Sequence, residues 1–100
     1  MQKLIQETAN RFLSSVPEQN RFWCNDGRIF SNLEELSAGL KSMSKEIFNH
    51  HVTPEKNDFS SWVYDVIGDT ELAIQLRKSK DKKNSENIVK NRINSLKKIK

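Results

Sequence analysis

One hundred residues suffice for one domain and leave no room for two independent cores. Hydrophobic residues make up 35% and charged residues 30%, with five Phe, two Trp and one Tyr, a balance that excludes disorder throughout. The net charge of +4 hides a division: residues 77–100 hold ten Lys or Arg against two acids, +8, while the preceding residues carry seven bases against eleven acids, −4.

No run of about 18 apolar residues is present, and the basic segment 77–100 has no Trp or Phe to enter an interface, so no membrane contact is expected. The N-terminus lacks the apolar stretch of a signal peptide, and the single Cys24 rules out an internal disulfide, so the expected location is cytoplasmic. At this length only roughly 60 to 65% of the unfolded surface is buried, which leaves room for a homodimer that completes an exposed face.

In chain order, Leu4, Ile5, Thr8, Ala9, Phe12, Leu13 and Val16 form one helical stripe, predicting a helix over residues 2–15 ended by Pro17. Residues 21–30 switch to short aromatic and aliphatic runs around Asp26-Gly27, the favoured sequence for a two-residue type I′ hairpin turn. That turn pairs Cys24 with Ile29 and Trp23 with Phe30. It places Trp23 and Phe30 on one face, where core burial is the expectation, and Phe22, Cys24 and Ile29 on the other.

Ser31-Asn32-Leu33-Glu34 has the form of a capping box, and Leu33, Leu36, Leu40 and Met43 extend a helix over about 32–42. Ser44 is positioned to cap a third helix bearing Ile47, Phe48, His51 and Val52, stopped by Thr53-Pro54. Asp58 then precedes the stripe Phe59, Trp62, Val63, Val66 and Ile67, which Gly68 ends. Asp69 caps a short helix with Leu72, Ala73 and Leu76. The polar stretch 78–84 reads as a linker or a frayed helix end, and Ile88, Val89, Ile93, Leu96 and Ile99 define a last amphipathic helix. The expected fold is therefore mostly α, a compact helical domain of five to six helices with one small β-hairpin. Residues 1–77 form its body, and the basic residues 78–100 form an amphipathic helix of the same domain.

Few residues suggest chemistry. His50 and His51 are neighbours, which on a helix point about 100° apart and do not converge on one ion as a pair four residues apart would. One is expected to pack beside Val52 and the other to face solvent. Cys24 has no catalytic signature near it and reads as a small hydrophobe. Asp26 reads as a turn residue, Asp58 and Asp69 as caps, and Asp65 is uncommitted. The three glycines are scattered, so there is no phosphate loop, and no cofactor or metal is expected.

The basic segment is the better lead. Arg77, Lys78, Lys80, Lys82, Lys83, Lys90, Arg92, Lys97 and Lys98 are candidates for contact with phosphates, in binding that is salt-dependent and largely non-specific. The reading is a non-catalytic module that binds nucleic acid or a ribonucleoprotein. The alternatives are a protein-interaction or dimerisation domain docking the same helix on an acidic surface, a merely solvated tail, and a small enzyme built on His50 or His51, Asp58 and Asp65.

Phe22-Trp23-Cys24-Asn25-Asp26-Gly27, Asn32-Leu33-Glu34-Glu35-Leu36, Phe48-Asn49-His50-His51-Val52, and Asn57-Asp58-Phe59 with Trp62 and Asp65-Val66-Ile67-Gly68-Asp69 stand in this order. Together they resemble an uncharacterised family of small prokaryotic domains, mostly archaeal, over about residues 20–76. The resemblance implies a helix-rich domain and a prokaryotic source. It carries over no catalytic residue and leaves the basic segment outside it.

Overall fold

The computed structural model describes residues 5–99. Across them run six α-helices and one two-stranded antiparallel hairpin, with a 3₁₀ turn at Glu18–Asn20 and a π-turn at Val63–Ile67: α1 Gln6–Leu13, β1 Phe22–Trp23, β2 Ile29–Phe30, α2 Leu33–Ser42, α3 Lys45–His51, α4 Asp58–Trp62, α5 Thr70–Arg77 and α6 Lys82–Ile99. The expected mostly α domain with a small hairpin is the fold observed.

The apolar stripes become one core. Ala9 and Phe12 of α1, four residues of α2 and α3 (Leu33, Leu36, Leu40, Phe48), Phe59 and Trp62 of α4 with Val63 just after it, and Leu72, Ala73 and Leu76 of α5 are all buried together. Val89, Ile93 and Leu96 of α6 join them, so α6 closes the core against α1, α2 and α5. The first helix begins at Gln6 and ends at Leu13, because Ser14 is already extended, ahead of Pro17. The part of the expected helix over residues 2–4, with Leu4, lies outside the described residues.

The hairpin corrects the expected register. Phe22 pairs with Phe30 and Trp23 with Ile29, one residue away from the type I′ pairing. A type I′ turn needs positive φ at both Asp26 and Gly27, yet among the described residues only glycines have positive φ, Gly27 at 94°. The loop instead takes one more residue: the Gly27 amide donates to the Cys24 carbonyl at 2.9 Å, and the Cys24 amide donates to the Arg28 carbonyl at 2.9 Å. Asp26 secures this form, since its Oδ1 accepts from the Arg28 amide at 3.0 Å. The shift reassigns the faces. Phe22, Phe30 and Cys24 are buried, while Trp23 is 71% exposed and Ile29 44% exposed.

Inside, Phe22 is the centre of an aromatic group. Its ring stacks on Phe30 and Phe59 with centroids 5.9 and 5.1 Å away, and it meets Trp62 edge-on at 5.9 Å. Trp62 Nε1 donates to the Asn20 carbonyl at 2.8 Å, so the buried indole is satisfied and the segment before β1 is tied to α4. Gly39 of α2 lies directly under the Phe30 ring, and a Cβ there would collide with it, so the hairpin seats on α2 only because position 39 has no side chain.

Two helix starts are displaced by one residue from expectation. Asn32, not Ser31, caps α2, accepting from the Glu35 amide at 2.8 Å, and Glu35 Oε1 returns to accept from the Ser31 amide at 2.7 Å. Those bonds from Ser31 to Glu35 hold its carboxyl below the usual range. Asn57, not Asp58, caps α4, accepting from the Ser60 amide at 3.0 Å, while its Nδ2 donates to the Leu76 carbonyl at 2.9 Å. A single side chain thereby joins the start of α4 to the end of α5. Ser44 and Asp69 cap α3 and α5 as expected. The chain of α4 continues as a π-turn, Val63–Ile67, closed by a bond from the Gly68 amide to the Val63 carbonyl at 2.8 Å, and Gly68 turns out of the helix at φ 88°.

The last helix starts at Lys82, leaving residues 78–81 as the link. It is anchored by Arg92, whose Nε and Nη2 donate to the two oxygens of Asp69 at 2.6 and 2.8 Å. Asp69 is 1% exposed. Burial works against the Arg92 charge, but the carboxylates of Asp69 and Glu71 outweigh it and raise its pKa. Removing Arg92 strands a buried carboxylate, so Arg92→Met is expected to lower stability by about 3 kcal/mol. In Asp69→Asn the capping oxygen remains and the charge does not; combining the two substitutions is expected to recover most of the loss. Urea unfolding of the four proteins measures this, and strictly additive effects would contradict the pairing.

Candidate functional site

The structure disperses the nine basic candidates. Arg92 is spent on Asp69 and Glu71. Lys97 pairs with Glu34 of α2 at 3.2 Å, and Lys83 lies 3.8 Å from Glu86 one turn along its own helix. Lys82 reaches back to α2, where its Nζ donates to the carbonyls of Leu40 and Lys41 at 2.9 and 3.1 Å. A cation at the end of a helix meets both its unpaired carbonyls and its dipole, so Lys82 acts as a remote cap of α2. Lys90 borders the shallow groove between α2 and α6 with Lys41, and the carboxylates of Glu34 and Glu86 in the same groove balance them. Lys78 and Lys98 are exposed.

Arg77 and Lys80 are brought into a different company. The link 78–81 crosses beside the end of α3 and the loop that follows it, and a recess of about 540 Å³ opens there, lined by Asn49, Val52, Thr53, Pro54 and Lys80. Its lining is mainly apolar. Lys80 reaches across the edge, with Nζ 3.4 Å from the Thr53 carbonyl. Two smaller hollows adjoin it, one bounded by Glu55, Lys56 and Arg77, the other by Lys45, Asp81 and Lys82. Lys80 borders all three. Five cations, from α3, the 52–57 loop, α5, the link and α6, thus face two carboxylates around an apolar floor. Among the described residues, Lys45, Arg77 and Lys80 have no carboxylate within ion-pair distance.

No local sequence signal marks Lys45, Asn49, Pro54 and Lys56 as binding residues, because they join the face only through the packing of α3 against the link. Pro54 disfavours helical backbone at the residue before it. Together with the Thr53–Lys56 turn, whose amide-to-carbonyl bonds are 2.9 and 3.3 Å, it shapes the loop that carries two of them.

The histidines separate as expected: His50 is exposed and His51 is buried. His51 does more than pack beside Val52. Its Nε2 accepts from the Asn25 amide at 3.0 Å and its Nδ1 lies 3.0 Å from Asp58 Oδ2, so the Nδ1–H tautomer satisfies both partners. A His–Asp pair of this kind acts as a base only when Nε2 is available, and here that lone pair holds the hairpin loop. Asp58 is therefore the partner of His51 and of Lys56 Nζ, at 2.9 Å, in place of the cap expected. Asp65 is exposed, and among the described residues no group of three His, Cys, Asp or Glu side chains is placed to hold a metal ion. Cys24 is buried, and burial is the main reason its thiol pKa is raised, which disfavours the thiolate. No described helix is long and apolar enough to cross a membrane.

Comparison with protein-family models, with curated proteins and with solved structures gives no match.

Three carboxylates are held below their ordinary range. Asp26 is lowered to about 2 by hydrogen bonds from Arg28. In Asp58 burial acts upward, but bonds from Lys56 and His51 prevail, and Glu35 is lowered by Ser31. A carboxyl depressed on folding stabilises the fold above its unfolded value, about 3.9 for Asp and 4.3 for Glu, and that contribution disappears as pH falls through the folded value. The urea midpoint is expected to drop from about pH 5 toward pH 2, and Asp58→Asn is expected to make the profile shallower. A variant profile as steep as the parent's would exclude Asp58 as a source of the pH dependence.

Proposed function

We propose that the chain is a non-catalytic nucleic-acid-binding module whose contact surface is the cationic rim around Lys80. The observation that carries this reading is the excess of cations around Lys80: the three adjoining hollows it borders carry Lys45, Lys56, Arg77 and Lys82 from separate elements against Glu55 and Asp81, and among the described residues Lys45, Arg77 and Lys80 have no carboxylate within ion-pair distance. Convergent cations on separate rigid elements suit a polyanion, because several phosphates are engaged at once and each contact releases counterions. The outer side of α6 is a poorer choice: Lys83, Lys97 and Arg92 already face Glu86, Glu34 and Asp69. The likeness of residues 20–76 to a family of small prokaryotic domains belongs to this proposal and adds no activity to it.

Fluorescence anisotropy with a labelled single-stranded oligonucleotide at about 50 mM salt tests the reading. Arg77→Glu combined with Lys80→Glu is expected to weaken binding at least tenfold and to flatten the salt dependence, by about 0.7 in logarithmic slope for each phosphate no longer neutralised. Lys90→Glu is expected to have little effect. Absence of binding, or equal weakening by both variants, would overturn it.

A second reading is favoured by the hairpin. Trp23 and Ile29 face each other across the ribbon and lie in solvent, an exposed apolar pair of the kind that marks a protein contact. The apolar side of α6, the helix expected to dock on an acidic surface, is buried in the protein's own core, which leaves only its polar faces for such a contact. On this reading, light scattering reports an oligomer that persists in high salt and that Trp23→Ser dissociates. A monomer at every salt concentration would leave self-association unsupported.

A further inference from the structure

We infer that the recess beside Lys80 receives one unpaired nucleobase, so that the rim selects single-stranded over duplex nucleic acid. The inference rests on the proposed nucleic-acid reading and adds the form of the ligand. The rim and the floor of this face differ in chemistry. Lys80 offers charge at the edge of the recess, with Arg77 and Lys45 in the hollows on either side, whereas the edge of Val52 and the exposed ring of Pro54 supply apolar surface below. Phosphates alone would use the rim and leave that surface wet. At about 540 Å³ the recess lies within the range of pockets that hold small planar ligands.

A base is the part of a nucleic acid that fits such a floor, since it is flat and apolar on its faces and polar only along its edges. Asn49 lines the same recess, and its amide carries a donor and an acceptor suited to a base edge. The ammonium of Lys80, 3.4 Å from the Thr53 carbonyl at the mouth, is placed to meet the phosphate attached to that base. Duplex DNA or RNA exposes base edges in its grooves but keeps the base faces stacked, so no base is free to lie on the floor and the recess stays unfilled. The charge around the recess also argues against an acidic or purely apolar peptide as its occupant: the former would gain nothing from the floor, the latter nothing from the rim.

The experiment uses the full chain and three labelled probes of about twelve nucleotides, a length within the site sizes of single-strand binders: a single strand, its duplex, and a single strand made abasic throughout. The single strand is expected to bind on the order of tenfold more tightly than either of the others. Pro54→Ala with Asn49→Ala, both at exposed positions, is expected to remove that preference while leaving the abasic probe bound as before, with folding verified by circular dichroism. Lys80→Glu is expected to weaken all three. Equal binding of the three probes, still steeply salt-dependent, would overturn the base-binding recess and leave the rim as a phosphate site. Binding of none would overturn both.

Discussion

The bidentate pair between Asp69 and Arg92 is the contact on which the arrangement of the last third of the chain depends. Asp69 has two tasks, accepting from the Leu72 amide to start α5 and from Arg92 to hold α6. A buried carboxylate capping a helix gains from the positive end of that helix, and the guanidinium completes its neutralisation. With α6 held in this rotation, Val89, Ile93 and Leu96 face the core, and Lys82 arrives at the end of α2. The link 78–81 is then drawn along α3, which is what places Lys80 over Pro54. The candidate site is a consequence of how α6 is fastened.

This also explains the division of charge along the chain. The acidic body serves in part as a counter-surface for its own C-terminal helix: Glu34 takes Lys97, and Asp69 and Glu71 share Arg92. Those contacts differ in weight. The exposed pair between Lys97 and Glu34 contributes little, as solvent-facing pairs do, while the pair at Asp69 is shielded and fixed in geometry. The surplus positive charge is left mainly where the chain bends between α5 and α6, and at the outer turns of α6.

Apolar periodicity made the helices legible, because burial of Leu36, Leu40, Phe59, Leu72, Val89 and Ile93 is a statement about spacing that any compact packing of these helices respects. What periodicity leaves open is a choice between adjacent competent residues. Ser31 and Asn32 are both good caps, as are Asn57 and Asp58, and tertiary partners decide: Asn57 is selected because its amide also reaches the Leu76 carbonyl, while Asp58 is needed by His51 and Lys56. The hairpin register departs from expectation for a similar reason. Asp26-Gly27 suits two loop lengths, and the aromatic group on Phe22 with the bond from Asn25 to His51 favours the longer one, which sends Trp23 outward. The candidate site was half legible. Arg77, Lys80 and Lys82 stood out by charge, but Lys45, Asn49 and Pro54 lie far earlier in the chain and become neighbours only once it folds.

The π-turn at Val63–Ile67 has a bearing on how this sequence can vary. It fits one more residue into the turn than an α-helix would, so chain length there encodes direction. A one-residue deletion between Val63 and Ile67 would restore regular winding, but it would turn the exit of the helix by about 100° and misdirect Gly68 and the cap at Asp69. The number of residues across this segment, and not only the burial of Val63 and Ile67, therefore fixes where α5 begins.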